Sequence, residues 1–385
     1  MKTTGLPLSS LRVLDFTRLL PGPLCTAELG DLGADVLKIE DGGAGDYLRE
    51  TPPMKNKFSY LYTILNRNKR SMCLDFDRAR PAILELVRTA DALVEGFRPG
   101  VMAARGYGYE ELKKVNPRLV YCSITGYGQT GPLATRVGHD LNYCALSGMS
   151  SQIGRGGRLC VPNLQIADVL AGAKQAAIGL LAAVIDARFT GEGRHVDVSM
   201  FDGCVANLVA AFAAMQAFGK APDAGADLLS GAMPFYDLYP TSDGRYVALA
   251  AIEAKFWKAF CTAVDKPEWV GRHFDLGLRP ELEALFAAHT FDHWTDFAQR
   301  HECCLEPVLT LDEAVRHPHA QARNLVVETL HPSEGVVSIP LTPIRMSGFA
   351  PEIRRNAPAR GADNADLRAA YPCDDAEWEV MSGLK

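Results

Sequence analysis

Leu11-Arg12-Val13-Leu14-Asp15-Phe16, then Pro21-Gly22-Pro23, then Asp35-Val36-Leu37-Lys38-Ile39-Glu40: these three runs decide the fold. The first is apolar and bounded by turn residues, the pattern of a buried strand. Leu24 to Leu32 follows the proline break as a short helix that Gly33 ends, and the third run is a second strand. Strand, turn, helix and strand make a βαβ unit, which favours a parallel sheet.

The pattern continues outward. Ser71–Phe76 and Ala92–Val94 read as strands flanking a helix over Pro81–Ala90, and Leu119–Ile124 is a further strand before the turn Gly126-Tyr127-Gly128. No GxGxxG follows the first strand, so the order is Rossmann-like without the dinucleotide fingerprint. Asp168 opens an apolar helix to about Arg188, His195–Ser199 is a strand, and an alanine-rich helix runs from about Cys204 to Phe218. Residues 220–227 have linker composition. Strands at Phe235–Pro240 and Tyr246–Ala251, with short helices to about Ala322, form a smaller domain. Val336–Pro340 and Pro343–Ser347 read as strands returning to the first domain. The expected class is α/β: a Rossmann-like large domain over 1–220, completed by 330–385, plus a smaller α+β domain over 228–325.

Composition narrows the function classes. The chain has 385 residues, 48% of them hydrophobic, and a net charge of −6. That balance argues against a general nucleic-acid binder. Ten cysteines lie scattered without a CxxC pair or zinc spacing, which reads as free thiols in a reducing compartment and no metal site. The start Met1-Lys2-Thr3-Thr4-Gly5-Leu6-Pro7 lacks a secretory pattern. The most apolar stretches, Ala176–Ile185 and Cys204–Gly219, fall short of the roughly 18 residues a membrane span needs. The expectation is a cytoplasmic protein with no membrane partner.

Gly138-His139-Asp140-Leu141-Asn142-Tyr143 is the most informative stretch, its histidine either a structural loop residue hydrogen-bonded to its neighbours or a proton-transfer group. His139 stands at the end of a loop rich in glycine and proline, where a rigid sheet positions catalytic groups. Imidazole both takes and gives a proton near neutral pH. Asp168 begins a helix, as an N-cap or as a carboxylate beside N–H groups that bind a developing oxyanion. Glu253 follows an apolar strand and gains weight from the company of His139 and Asp168. The turn Asn66-Arg67-Asn68-Lys69-Arg70 is either a solvated loop or a phosphate contact for an anionic ligand. Gly96-Phe97-Arg98-Pro99-Gly100 places an arginine beside an aromatic where a ligand crevice opens at the sheet's carboxyl edge.

Together these stretches resemble the class III CoA-transferase superfamily (the CaiB/BaiF type), and within it the α-methylacyl-CoA racemases. The resemblance rests on Gly22-Pro23, Leu29 to Glu40, Asn66 to Ser71, Gly96 to Gly100, Asn116 to Tyr121, Gly126 to Pro132, Gly138 to Tyr143, and Asp168. It implies an interlocked homodimer with acyl-CoA as substrate and no cofactor beyond the CoA moiety. Lys38 and Arg98 match family positions that contact CoA, with Leu74 and Phe97 near the adenine or pantetheine. Transferases attack the thioester with an aspartate that aligns with Asp168. Racemases add a histidine and a glutamate, matched by His139 and by Glu253 in Ile252-Glu253-Ala254-Lys255-Phe256.

The expected reaction is therefore inversion of a 2-methylacyl-CoA, or a related α-substituted thioester, by two-base proton transfer. His139 and Asp168 would face opposite sides of the α-carbon, Glu253 would orient the imidazole, and Asp140 would steady the loop or share that task. The alternative is CoA transfer between carboxylic acids, with Asp168 forming a mixed anhydride and then an enzyme–CoA thioester.

Overall fold

A computed structural model describes residues 5–43, 45–56, 58–370, 378, 381 and 382 of the chain. Six strands form the central sheet: β1 (Arg12–Asp15), β2 (Asp35–Asp41), β3 (Lys69–Leu74), β4 (Ala92–Glu95), β5 (Val120–Thr125) and β6 (His195–Ser199). Their order is β3-β2-β1-β4-β5-β6, and every pairing is parallel. The direction of growth therefore reverses between β1 and β4, the switch point where open α/β sheets bind ligands.

Both faces of the sheet are buried, and the alternation of side chains shows how. Leu14, Leu37, Leu93 and Tyr121 pack with Ile83 and Val87 of α2 (Arg80–Thr89) and Leu112 of α3 (Tyr109–Val115). Their neighbours Val13, Val36, Val94 and Cys122 face the other way, onto Cys25 and Leu29 of α1 (Pro21–Asp31) and Leu180 and Val184 of a long helix introduced below. Strands covered on both sides read as near-continuous apolar runs, which is why these were legible.

The chain divides into two compact units: Met1–Ser147 with Asn163–Asn207 and Pro318–Lys385, and Gly148–Pro162 with Leu208–His317. The division differs from the expected 1–220, 228–325 and 330–385 in three places, one being residues 318–325, which fall in the larger unit. Residues 148–162 belong to the smaller unit because Arg155 pairs with Asp237 at 2.6 Å and Gln152 donates to the Pro222 carbonyl at 3.2 Å. The boundary near 220 moves to 208, where the single helix expected over 204–218 is broken. The helix ending at Asn207 stops, and Leu208 (ψ 41°) starts a new one over Val209–Phe218. The smaller unit is α+β. Its three-stranded antiparallel sheet packs Tyr239, Val247 and Leu249 against Trp257, Phe260, Phe286 and Trp294.

Three further expectations are corrected. Pro343–Ser347 is not a strand: only an isolated bridge joins Met346 and Phe349, and the returning hairpin is instead Val326–His331 with Gly335–Pro340. The basic turn at residues 66–70 is an internal clamp rather than a phosphate site. Arg67 is buried against Asp31 at 2.5 Å, and Lys69 is fully buried, reaching Asp15, the Pro23 carbonyl and Asn66 at 2.9 to 3.0 Å. Burial pushes the Lys69 ammonium down to about 8 although Asp15 opposes that shift. Finally, a helical run over Ala167–Thr190 has 24 residues and a mean hydropathy of 1.5, long and apolar enough to cross a membrane. Its residues Ala173, Ala176, Leu180 and Val184 lie in the sheet's core, so one face is committed to the fold.

Candidate active site

The catalytic candidates gather where that helical run begins. Ala167–Lys174 is wound as a π-helix before the regular helix of Gln175–Thr190, a geometry found mostly at functional sites. Asp168 lies inside its first turn rather than at the N-cap, the position held by Ile166. Small residues let this wide segment pack closely: a Cβ on Gly203 would meet Ala171 Cβ at 2.6 Å.

Opposite it stands α4 (Asp140–Leu146), capped by His139. The His139 backbone is extended (φ −131°), and its N–H donates to Asn142 Oδ1 at 3.0 Å. The imidazole is exposed. Tyr143 fixes the approach to this helix by donating its hydroxyl to the Gly138 carbonyl. Its ring passes so close that a Cβ on Gly126 would sit 2.3 Å from it, and one on Gly138 2.8 Å. Glycine is therefore required at both positions, which accounts for two glycines in the motifs quoted above.

Asp140 joins the two elements. Its Oδ1 accepts the Asp168 backbone N–H at 3.0 Å. The Asp168 carboxyl is pushed up to about 7, first by burial and then by the Asp140 charge. The ordinary pull of a helix start on a carboxylate is outweighed here. The same two aspartates, after burial, push the Tyr143 hydroxyl up to about 12.

His139, Asp140 and Asp168 thus come together in the larger unit. Glu253 does not join them within it: it is exposed at the N-cap of the helix Ala254–Ala263, in the smaller unit.

The expected CoA contacts divide in two. Lys38 and Leu74 are corrected: both side chains are fully buried. The Lys38 ammonium is committed to the Thr17 carbonyl at 2.9 Å and Asp46 at 2.8 Å, and Leu74 belongs to the core between the sheet and α2. Phe97 and Arg98 do reach the surface, just past β4 at the switch point. Sequence reading missed Arg18, which follows β1 on the other side of that point. Its guanidinium lies 4.9 Å above the Phe97 ring and 5.4 Å from Tyr47, and it pairs with Asp41. The signal was available: a cation three residues past the first strand of a parallel sheet stands at the ligand-binding edge.

The larger unit thus offers a half-buried carboxyl and, at the carboxyl edge of its parallel sheet, two arginines beside an aromatic ring, with no dinucleotide fingerprint after the first strand. The family model for CoA-transferase family III matches residues 8–364, and the chain belongs to that family. It is 35% identical to acetyl-CoA:oxalate CoA-transferase of Acetobacter aceti, covering 96% of this chain and 97% of that one. It is 33% identical to human alpha-methylacyl-CoA racemase, over 82% of this chain and 81% of that one. A CaiB/BaiF family protein from Brucella suis has a similar crystal structure, with a TM-score of 0.83 at 29% identity, covering 95% of this chain and all of the other. The chain is thus an enzyme acting on acyl-CoA, and both transferases and a racemase stand among its relatives.

Proposed function

We propose that the protein is a CoA transferase that moves CoA between carboxylic acids through covalent intermediates on Asp168. The observation that carries this reading is the 35% identity to acetyl-CoA:oxalate CoA-transferase over 96% of this chain, and the surroundings of the Asp168 carboxyl agree with it. Burial and the Asp140 charge both disfavour its ionised form. Acylation replaces the charge with a neutral anhydride and relieves both penalties, so the site favours the covalent state.

The Asp168 carboxylate attacks the thioester carbonyl, a C–O bond forms, the C–S bond breaks, and CoA leaves as thiolate. The thiolate attacks the Asp168 carbonyl of the anhydride, giving an enzyme–CoA thioester and releasing the donor acid as its carboxylate. The acceptor carboxylate then attacks that thioester and expels the thiolate, which attacks the acceptor's acyl carbon and restores Asp168. Charge builds on a carbonyl oxygen in each step; losing one donor to such an oxygen typically costs about 3–4 kcal/mol. Asp140 positions the Asp168 backbone throughout. Arg18, Phe97 and Arg98 hold the nucleotide end of CoA, and a short dicarboxylate such as oxalate is the acceptor to try first, from the name of the Acetobacter relative.

A second reading retains specific support. His139 directly precedes Asp140, which touches Asp168, and the human relative is a racemase. In that reading His139 and Asp168 exchange the α-proton of a 2-methylacyl-CoA across its two faces, with Glu253 orienting the imidazole.

One experiment separates them: acyl-CoA is mixed with a carboxylate in heavy water. CoA moving to the added acid supports the transferase. Deuterium entering the α-carbon without CoA movement overturns it in favour of the racemase.

A homodimer belongs to the same proposal. The helix Val209–Phe218 buries none of its residues, and Val209, Phe212 and Phe218 are 71%, 51% and 85% exposed. An apolar helix of this kind needs a cover, and a second copy of the chain supplies one.

A further inference from the structure

A second cluster of titratable groups lies at the carboxyl end of β4 and β5, outside the catalytic site. Glu95 ends β4 and is 4% exposed. Across the sheet it pairs in register with Ser123 of β5, which pairs with Asp197 of β6. Ser123, beside Glu95 in that register, favours the ionised form of its carboxylate and lies 2.9 Å from His195 Nε2. The His195 ring is stacked on Tyr109 and meets the edge of Tyr121. Glu95, Arg98, Ser123 and His195 line one cavity of about 350 Å³.

The Glu95 carboxylate also reaches the loop after its own strand. Oε2 accepts the backbone N–H of Phe97 at 2.7 Å. Phe97 is the residue whose ring carries the Arg18 guanidinium. One buried carboxylate therefore ties the loop after β4 to a hydroxyl–imidazole pair on the two neighbouring strands.

We propose that Glu95 is a positioning residue for the loop that presents Phe97 and Arg98 to CoA, and that Ser123 and His195 set its charge, so that affinity for CoA follows pH. The inference rests on the reading of that loop as a CoA contact. When Glu95 is ionised, Nε2–H of His195 donates to the serine and the serine O–H donates to the carboxylate. A charged acceptor then also holds the Phe97 N–H, and charge-assisted bonds are roughly twice as strong as neutral ones. When Glu95 takes a proton, both bonds in the chain reverse and Phe97 is held by a neutral acid.

The surroundings put this change within reach. Burial pushes Glu95 up to about 7, Asp197 adds to the rise, and Ser123 and the Phe97 N–H oppose it. The other groups facing the cavity are Arg98 of the loop, Tyr109, Glu110 and Glu111 of α3, Tyr121 of β5 and His195 of β6. Burial lowers the affinity of His195 for its second proton, which keeps it neutral and able to act as either donor or acceptor.

The test is calorimetric binding of free CoA by the full chain, at about pH 8 and about pH 6, either side of the Glu95 step. The native protein is expected to bind roughly 5-fold more weakly at the lower pH, the small end of usual couplings between sites. The CoA phosphate monoester titrates in the same range, with a second pKa of about 6, so the comparison is with Glu95→Gln, which retains an acceptor without a charge. In Glu95→Gln the phosphate contribution persists and the excess pH dependence is lost. Ser123→Ala, which deletes one hydroxyl, moves the step to higher pH. In turnover, the Glu95→Gln effect falls on KM for acyl-CoA rather than on kcat. Binding with the same pH dependence in native protein and both variants overturns this inference alone. No CoA binding at any pH overturns the underlying reading of the crevice.

Discussion

Asp140 Oδ1 accepts the backbone N–H of Asp168 at 3.0 Å, so the carboxylate next to His139 also fixes the turn that carries the proposed nucleophile. The pair has two separable functions. The oxygen holds the π-helical turn, and the charge raises the neighbouring carboxyl.

Asp140→Asn retains the oxygen and removes the charge. The acid limb of kcat/KM, set in the native protein by Asp168 near about 7, should then move to lower pH. Asp140→Ala also loses the backbone hydrogen bond and should cost roughly 5- to 13-fold in kcat, the factor that corresponds to a net loss of about 1–1.5 kcal/mol. Profiles of the three proteins measure both effects; a limb that does not move in Asp140→Asn contradicts the charge argument.

Asp168→Asn should abolish turnover and stabilise the fold. The sign follows from the raised carboxyl: the folded state holds its proton up to about 7, whereas an unfolded aspartate loses it near about 4. The stabilising contribution of that proton is complete below the unfolded value and is lost as pH rises through about 7. At about pH 8 the native protein therefore carries a buried charge that the asparagine variant lacks. Denaturant titration should show a gain of roughly 2–4 kcal/mol there, vanishing near about pH 4.

Gly126→Ala drives a methyl into the Tyr143 ring, which sits 2.3 Å from the Cβ position. The ring cannot yield without moving α4, so the substitution should cost about 1–3 kcal/mol and lower kcat together. Thermal melting and turnover of the same preparation check this.

Arg18→Ala and Lys38→Met test the proposed CoA contacts. Arg18 is partly exposed over Phe97, so its loss should raise KM for acyl-CoA several-fold with little change in stability. Lys38 is buried beside Asp46, and leaving that carboxylate unpaired should cost about 3–5 kcal/mol. Urea midpoints and KM values of the two variants should show opposite patterns.

Much of the fold was written in local pattern. Val13, Leu14, Val36 and Leu37 alternate between two covered faces, and strands of that kind are apolar throughout. What local pattern could not carry was tertiary pairing. Lys38, Arg67 and Lys69 look like ligand-binding cations in sequence, and their partners Asp46, Asp31 and Asp15 are brought to them only by folding. Arg155 is likewise assigned to the smaller unit by Asp237, far along the chain. At the site, His139, Asp140 and Asp168 were legible as residue types, whereas the bond from Asp140 to the Asp168 backbone required the π-helical turn. Arg18 was passed over because no motif surrounds it, only its place after β1.

The central claim is that Asp168 becomes covalently acylated. The most direct measurement is to incubate the protein with acyl-CoA, quench with hydroxylamine, and locate the modified peptide by mass spectrometry. The account predicts a hydroxamate on Asp168, absent in Asp168→Asn and absent without acyl-CoA. An unmodified Asp168 in protein that is turning over the same acyl-CoA would contradict it.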